Sequence, residues 1–204
     1  APGLAEQDAF VCEARAYLDT ALGYFAPEPA RLVAIGGLSG SGKSRAAREL
    51  APLLGRAPGA RVLRTDVIRK RLSGVNVRER LGQHGYAPAM TEQTYDHLFQ
   101  LSERALVAGQ SVVADAVFAR PDQRDAIAAV ARKADVPFCG LWLEASPDVM
   151  VRRVGERRQN VSDATADVVE RQLSYDLGAI EWDRVNSSGS RQDTMRKVTA
   201  AAGL

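Results

Sequence analysis

The chain has 204 residues, 46% hydrophobic and 25% charged, with a formal net charge of +2. That is the size and make-up of one packed domain with a small appendage, and it excludes disordered, fibrous and repeat architectures. A charge so near zero raises no field for a polyanion or an acidic surface, and no charge-free run exceeds 11 residues, about half the length a helix needs to cross a bilayer.

The two cysteines, Cys12 and Cys139, and the two histidines, His84 and His97, show no metal-ligand spacing. Neither structural zinc nor a disulfide is expected, and the reducing cytoplasm is the expected compartment. Of the 27 cationic residues only four are lysines, Lys43, Lys70, Lys133 and Lys197, so a lysine at a chemically telling position stands out.

In chain order, residues 5–25 set Phe10, Ala14, Leu18 and Leu22 four apart with Tyr17 beside them, the stripe of an amphipathic helix that needs something to lie on. The Pro27-Glu28-Pro29 turn ends it. Residues 1–30 therefore read as an N-terminal helix and linker, and 31–204 as the main domain.

Beyond the turn, short apolar runs alternate with longer helical ones, the signature of an α/β domain with a parallel sheet. Strands are expected at 32–35, 61–65, 111–114, 138–143 and, more weakly marked, 184–186. Helices are expected at 43–54, 66–72, 91–107, 121–134, 147–158, 164–177 and from 191 onward. Pro121 and Pro147 fall where a missing N–H costs nothing, Asp122 and Asp125 put negative charge at a helix N-terminus, and Ser190 can cap the last helix. Tyr95, Leu98, Leu101, Ala105 and Leu106 share one helical face that should pack on the sheet.

Gly37-Leu38-Ser39-Gly40-Ser41-Gly42-Lys43-Ser44 satisfies G-x-x-x-x-G-K-[ST] and has the required context, an apolar strand before and a helix after. Its glycines allow successive N–H groups to turn toward a phosphate, where a side chain at Gly40 or Gly42 would fill that space or forbid the backbone angles. The dipole of the following helix adds to the attraction. Lys43 would bridge the β and γ phosphates of ATP, and the Ser44 hydroxyl would ligate Mg2+.

A phosphate-binding loop does not by itself name a reaction, so the rest of the sheet's carboxyl edge decides. The second strand runs into Asp66, which can orient a substrate hydroxyl and accept its proton, or merely cap the helix that follows. Arg69, one helical turn on, can offer a forked donor to a polar or anionic substrate group. The third strand delivers Asp115, placed for a water-mediated magnesium contact or a substrate hydrogen bond. After the fourth strand come Arg152, Arg153, Arg157 and Arg158 and then a polar stretch, which reads as a lid near 152–165; Arg153 and Arg157 are four apart and would face the same way, toward the transferred phosphoryl group.

With these residues placed, the chain resembles the P-loop kinases grouped with polynucleotide kinases, zeta toxins and chloramphenicol phosphotransferases, over residues 31–204. The resemblance implies a nucleoside-monophosphate-kinase-like three-layer α/β sandwich with a five-stranded parallel sheet in the order 2-3-1-4-5. In the polynucleotide kinases of that group, a D-x-x-R after the second strand holds the base and a substrate-phosphate arginine, and Asp66-Val67-Ile68-Arg69 matches it. An R-x-x-x-R of their lid matches Arg153 to Arg157, and an aspartate ending their third strand matches Asp115.

More closely, LVAIGGLSGSGKS, RTDVIRKRLSGV, SVVADAVF and LWLEA look like the predicted-kinase half of bacterial proteins whose other half resembles aminoglycoside phosphotransferases. A helical linker precedes the kinase there, which implies a fused or associated phosphotransferase-like domain as a partner of this chain. The segment 76–90 sits where an acceptor-binding insertion would be, yet carries a single aromatic, Tyr86, and matches no nucleic-acid clamp. The leading expectation is an ATP-dependent kinase acting on a hydroxyl of a small molecule. The alternatives are a polynucleotide 5'-hydroxyl kinase and a non-catalytic, nucleotide-gated interaction domain. Adenine is expected along 186–189, after the fifth strand.

Overall fold

The computed structural model describes residues 4–25, 28–156 and 161–204. Its centre is a parallel sheet of β1 (Leu32–Gly36), β2 (Arg61–Arg64), β3 (Val112–Asp115), β4 (Phe138–Glu144) and β5 (Asp183–Asn186), in the order β2-β3-β1-β4-β5. The register sets Arg64 and Ile35 opposite Asp115, Gly36 opposite Trp142, and Glu144 opposite Asn186. The carboxyl ends of all five strands therefore form one edge, the place where open α/β sheets take ligands.

Both faces of the sheet are covered, as the unbroken apolar runs require. Leu32, Ala34, Val112, Ala114 and Trp142 point into one core, which includes Tyr95, Leu98, Ala105 and Leu106 of α4 (Pro88–Val107) and Ile127 and Ala131 of α5 (Pro121–Lys133). Val33, Ile35, Val113, Leu141 and Leu143 point into the other, against α2 (Lys43–Leu50) and α8 (Arg191–Ala201). Each fully buried Leu or Ile of β1 adds about 1.5–3 kcal/mol over its exposed state, which makes the strand that feeds the glycine-rich turn a rigid base.

Several element ends differ from expectation for local reasons. Pro52 cannot continue the helix ladder, so α2 ends at Leu50 and a 3-10 turn spans Ala51–Leu53. α4 begins at Pro88 rather than 91, with the proline in its first turn. α3 covers Thr65–Leu72, taking Thr65 from the strand, and its N-cap position is Arg64, so Asp66 is not the cap. α6 (Pro147–Gly155) stops three residues short of the expected 158, with Gly155 in its last turn, and α7 (Ala166–Leu173) is shorter than expected at both ends. Ser190 does cap α8, accepting from Asp193 N at 3.1 Å.

The leading helix forms as α1 (Leu4–Gly23), but its stripe is uncovered: Phe10 is 64% exposed, Tyr17 69%, and Leu18 and Leu22 58% each. Part of the turn placed after it, Pro27, lies outside the described residues. Cys12 and Cys139 are both free thiols. Among the described residues, no helix is long and apolar enough to cross a membrane.

Candidate active site

The glycine-rich loop leaves β1 and opens α2, whose N-cap is Gly42 at φ 92° with no side-chain cap. In that first turn the Ser44 amide has no acceptor among the described residues. Gly42 is itself open, since a Cβ there would meet only the Arg153 guanidinium, at 3.8 Å. Gly40 differs from expectation. At φ +86°, its Cβ would lie 2.5 Å from the Met150 carbonyl oxygen, so this glycine lets α6 press against the outside of the loop rather than making room for a phosphate.

Three side chains hold the loop from outside. Gln172 of α7 accepts a buried hydrogen bond from Ser39 N at 2.7 Å. Arg153 of α6 donates to Gly40 O at 3.5 Å and Ser187 O at 2.7 Å. Ser187, just after β5, puts its hydroxyl 2.7 Å from Ser41 O and 2.9 Å from Glu144 O. The amides of Gly40, Gly42 and Ser44 have no acceptor among the described residues. Lys43 Nζ lies 3.4 Å from Leu38 O, folded back across the loop.

Of the expected nucleotide contacts, then, Gly37, Gly40, Ser41, Gly42, Lys43 and Ser44 share one turn, but three amides are already taken, that of Ser39 by the Gln172 side chain, that of Gly37 by Val117 O at 3.2 Å and that of Ser41 by Leu38 O at 3.1 Å. The Ser41 hydroxyl is buried without a hydrogen-bond partner among the described residues. Arg153 lies in the last turn of α6, and burial, with the charges of Arg45 and Arg152, pulls its pKa down. Arg157 and Arg158 lie outside the described residues.

At the neighbouring strand ends, Asp66 and Asp115 face a shared arginine that the sequence did not single out. Arg64 Nε donates to Asp115 Oδ2 at 2.9 Å, and Arg64 Nη2 lies 3.9 Å from Asp66 Oδ2. Asp115 is buried and Asp66 half-buried. Desolvation raises the Asp66 pKa above its ordinary value of 3.8 and the Asp115 charge adds to the rise, while Lys43, Arg64 and a hydrogen bond with Ser162 oppose it. A carboxylate held partly desolvated beside the loop lysine is a better proton acceptor than a solvated one.

Arg69 is buried on the same helix, but its Nη1 is spent inside the protein, on Gly85 O at 2.8 Å and Thr91 Oγ1 at 3.2 Å, with the Tyr86 ring 5.1 Å beneath it. The next residue, Lys70, is 2% exposed. It donates to Asp163 Oδ1 at 2.9 Å, Glu79 O at 2.6 Å and Val77 O at 3.3 Å. Asp163 Oδ2 in turn accepts from Leu81 N at 2.9 Å and from the Tyr86 hydroxyl at 3.1 Å. One buried ion pair therefore joins α3, the segment 77–86 and the residues leading into α7. A cavity of about 280 Å3 lined by Ser73, Leu81, Gly82, Gly85 and Met90 opens beside this segment.

The donors fit a nucleoside triphosphate with magnesium. The open amides and Lys43 suit a polyphosphate, and Ser44 and Asp115 are oxygen donors for a hard cation. Among the described residues, no three His, Cys, Asp or Glu side chains converge on a metal position. Such an ion would keep phosphate oxygens and waters in its shell, the arrangement magnesium favours.

A parallel sheet in the order β2-β3-β1-β4-β5 with a glycine-rich turn between β1 and α2 defines the class, the P-loop kinase fold. The family model described as AAA domain matches residues 32–176, and the chain belongs to that family. Uncharacterized proteins of Mycobacterium tuberculosis and Mycobacterium bovis are 30% identical over 172 residues, covering 79% of this chain and 32% of the relative. The chain thus spans about a third of the length of the curated relatives it matches.

Among solved structures, a sugar kinase from Janibacter sp. superposes with a TM-score of 0.59 at 17% identity, over 86% of this chain and 96% of that one. A gluconokinase from Sinorhizobium meliloti gives 0.57 at 20%, over 86% and 92%. The APS kinase of Mycobacterium tuberculosis, solved with AMPPNP and APS, gives 0.55 at 19%, over 87% and 100%. At these identities the likeness is one of fold.

Proposed function

We propose that the chain is an ATP-dependent kinase that transfers the γ-phosphoryl group of ATP to a hydroxyl of a small molecule. The observation that carries the reading is the half-buried Asp66 carboxylate, 3.9 Å from the Arg64 that holds Asp115 and under the charge of the loop lysine, Lys43. Gly40, Gly42, Lys43 and Ser44 hold the phosphates on a turn that Gly37 and Ser41 shape, and Ser44 and Asp115 would hold the magnesium ion that screens their charge.

Asp66 orients the acceptor and takes the proton of its hydroxyl as the acceptor oxygen bonds to the γ phosphorus and the bond to the β-γ bridging oxygen breaks, leaving ADP. Arg69 and Asp115 line the acceptor side, and Arg153, with Arg157, serves the nucleotide side. The printed titles of the neighbours, a gluconokinase and an APS kinase among them, support phosphoryl transfer to a hydroxyl as the reaction class.

A small acceptor fits better than a polynucleotide end. Arg64 and Arg69 are engaged within the protein, and Tyr86 is the one aromatic of the 76–90 segment, which is little surface for stacking bases. The uncovered stripe of α1 supports a unit that works joined to, or beside, a further domain of the phosphotransferase-like kind. A screen of a metabolite pool with ATP and Mg2+ should yield one phosphorylated product with matching ADP release; ADP release without any phosphorylated acceptor overturns the reading.

A further inference from the structure

We infer that Gln172 is a positioning residue of the nucleotide site, acting through the backbone of the phosphate-binding loop. The inference rests on the reading of that loop as a nucleotide site. Gln172 sits in the last turn of α7, 8% exposed, and its Oε1 accepts from Ser39 N, 133 residues earlier, at 2.7 Å.

A buried amide must be satisfied somewhere, and the choice of acceptor fixes which way its peptide plane faces. With Ser39 N tied to Gln172, Gly40 O to Arg153 and Ser41 O to Ser187, three successive loop residues have a backbone group bonded outward, away from the turn. The amides left without an acceptor among the described residues, on Gly40, Gly42 and Ser44, are the ones open to a polyphosphate. Among the described residues, Gln172 is the one acceptor of Ser39 N.

The contact also has a route to the other half of the site. α7 follows directly on Ser162 and Asp163, which bond to Asp66 and Lys70. The stretch from 162 to 172 is thus fastened to the acceptor side at one end and to the phosphate-binding loop at the other.

Two variants of matching length separate acceptor from bulk: Gln172→Met removes the oxygen, and Gln172→Glu keeps it. Titration calorimetry with Mg-ADP should give a Kd raised about ten-fold or more for the Met variant, the cost of misaligning one amide–phosphate bond. The Gly40 and Gly42 amide resonances of the nucleotide-free Met variant should move from their wild-type positions, whereas those of the Glu variant should stay. A Met variant that melts lower but binds Mg-ADP like wild type, with unmoved glycine resonances, overturns the inference and leaves Gln172 a structural contact. A wild-type chain that binds no Mg-ADP removes the nucleotide reading along with it. Nucleotide binding without an acceptor product removes the kinase reading alone.

Discussion

The phosphate-binding half of the proposed site and its proposed acceptor half are built in opposite ways. The first is backbone: a short turn between a fully buried strand and an uncapped helix, holding its open amides through glycine conformations and three outside braces. The second is side chain: Asp66, Arg69, Lys70, Tyr86 and Asp163, drawn from α3, the 77–86 segment and the approach to α7, and held by a buried ion pair. A backbone site carries little charge of its own and tolerates drift in neighbouring side chains. A side-chain site must bury charges, and each of them needs its partner. The halves should therefore fail differently.

The largest expected separation is at Asp66. If the kinase reading holds, Asp66→Asn should cut turnover on the acceptor found by the metabolite screen by about 10²–10⁴-fold while Mg-ADP affinity in calorimetry stays within a factor of two, since proton transfer belongs to the transition state. Unchanged turnover would take Asp66 out of the mechanism.

Next comes the ion pair. Asp163→Ala strands a lysine that is 2% exposed, and chemical denaturation should show a loss of about 3–5 kcal/mol. The double variant Lys70→Met/Asp163→Leu should recover only part of that, because it removes the stranded charge but leaves Val77 O, Glu79 O, Leu81 N and the Tyr86 hydroxyl without these partners. Neither should alter Mg-ADP affinity through contact with the loop, so an equal loss of affinity in both would mean that the halves are not separable.

Gly40→Ala should breach the division from the other side. It places a Cβ at φ +86° and 2.5 Å from the Met150 carbonyl, which should cost about 2–4 kcal/mol, and it should weaken Mg-ADP binding as well. Smaller still, Tyr86→Phe removes one hydrogen bond to Asp163 but keeps the ring under Arg69, so a loss of about 1 kcal/mol is expected, and none at all in an Asp163→Ala background.

The same contrast explains what could be read from the sequence. A turn made of backbone needs glycines at fixed spacing, and Gly37, Gly40 and Gly42 with Lys43 announce it between a strand and a helix. Asp66 and Asp115 were legible for a related reason, as carboxylates where apolar strands run out. Lys70–Asp163 and Ser39–Gln172 were not, since they join ordinary polar residues 93 and 133 positions apart with no period to betray them. Arg64 was hidden within a strand whose pattern pointed to the carboxylate two residues on, Asp66. The uncovered α1 shows the converse: the stripe of Phe10, Leu18 and Leu22 correctly marked a helix, but an amphipathic pattern says only that a face is apolar, not what lies against it.

The subtlest test of the contrast is the pH dependence of stability at Asp66. Its pKa in the folded chain is raised above 3.8, chiefly by desolvation. A carboxyl with a raised folded pKa contributes its full stability only below the unfolded value, where both states are protonated, and that contribution is lost as pH rises through the folded value. At neutral pH the wild-type chain therefore bears the burden of an ionised, partly desolvated carboxylate that Asp66→Asn does not. The variant should melt higher than wild type at neutral pH, with a gap that narrows as pH falls toward 3.8 and closes below it. A gap that instead widens on acidification would mean that attraction from Lys43 and Arg64 outweighs desolvation. The carboxylate would then be a partner of the loop's cation, and the acceptor half would store no strain of its own.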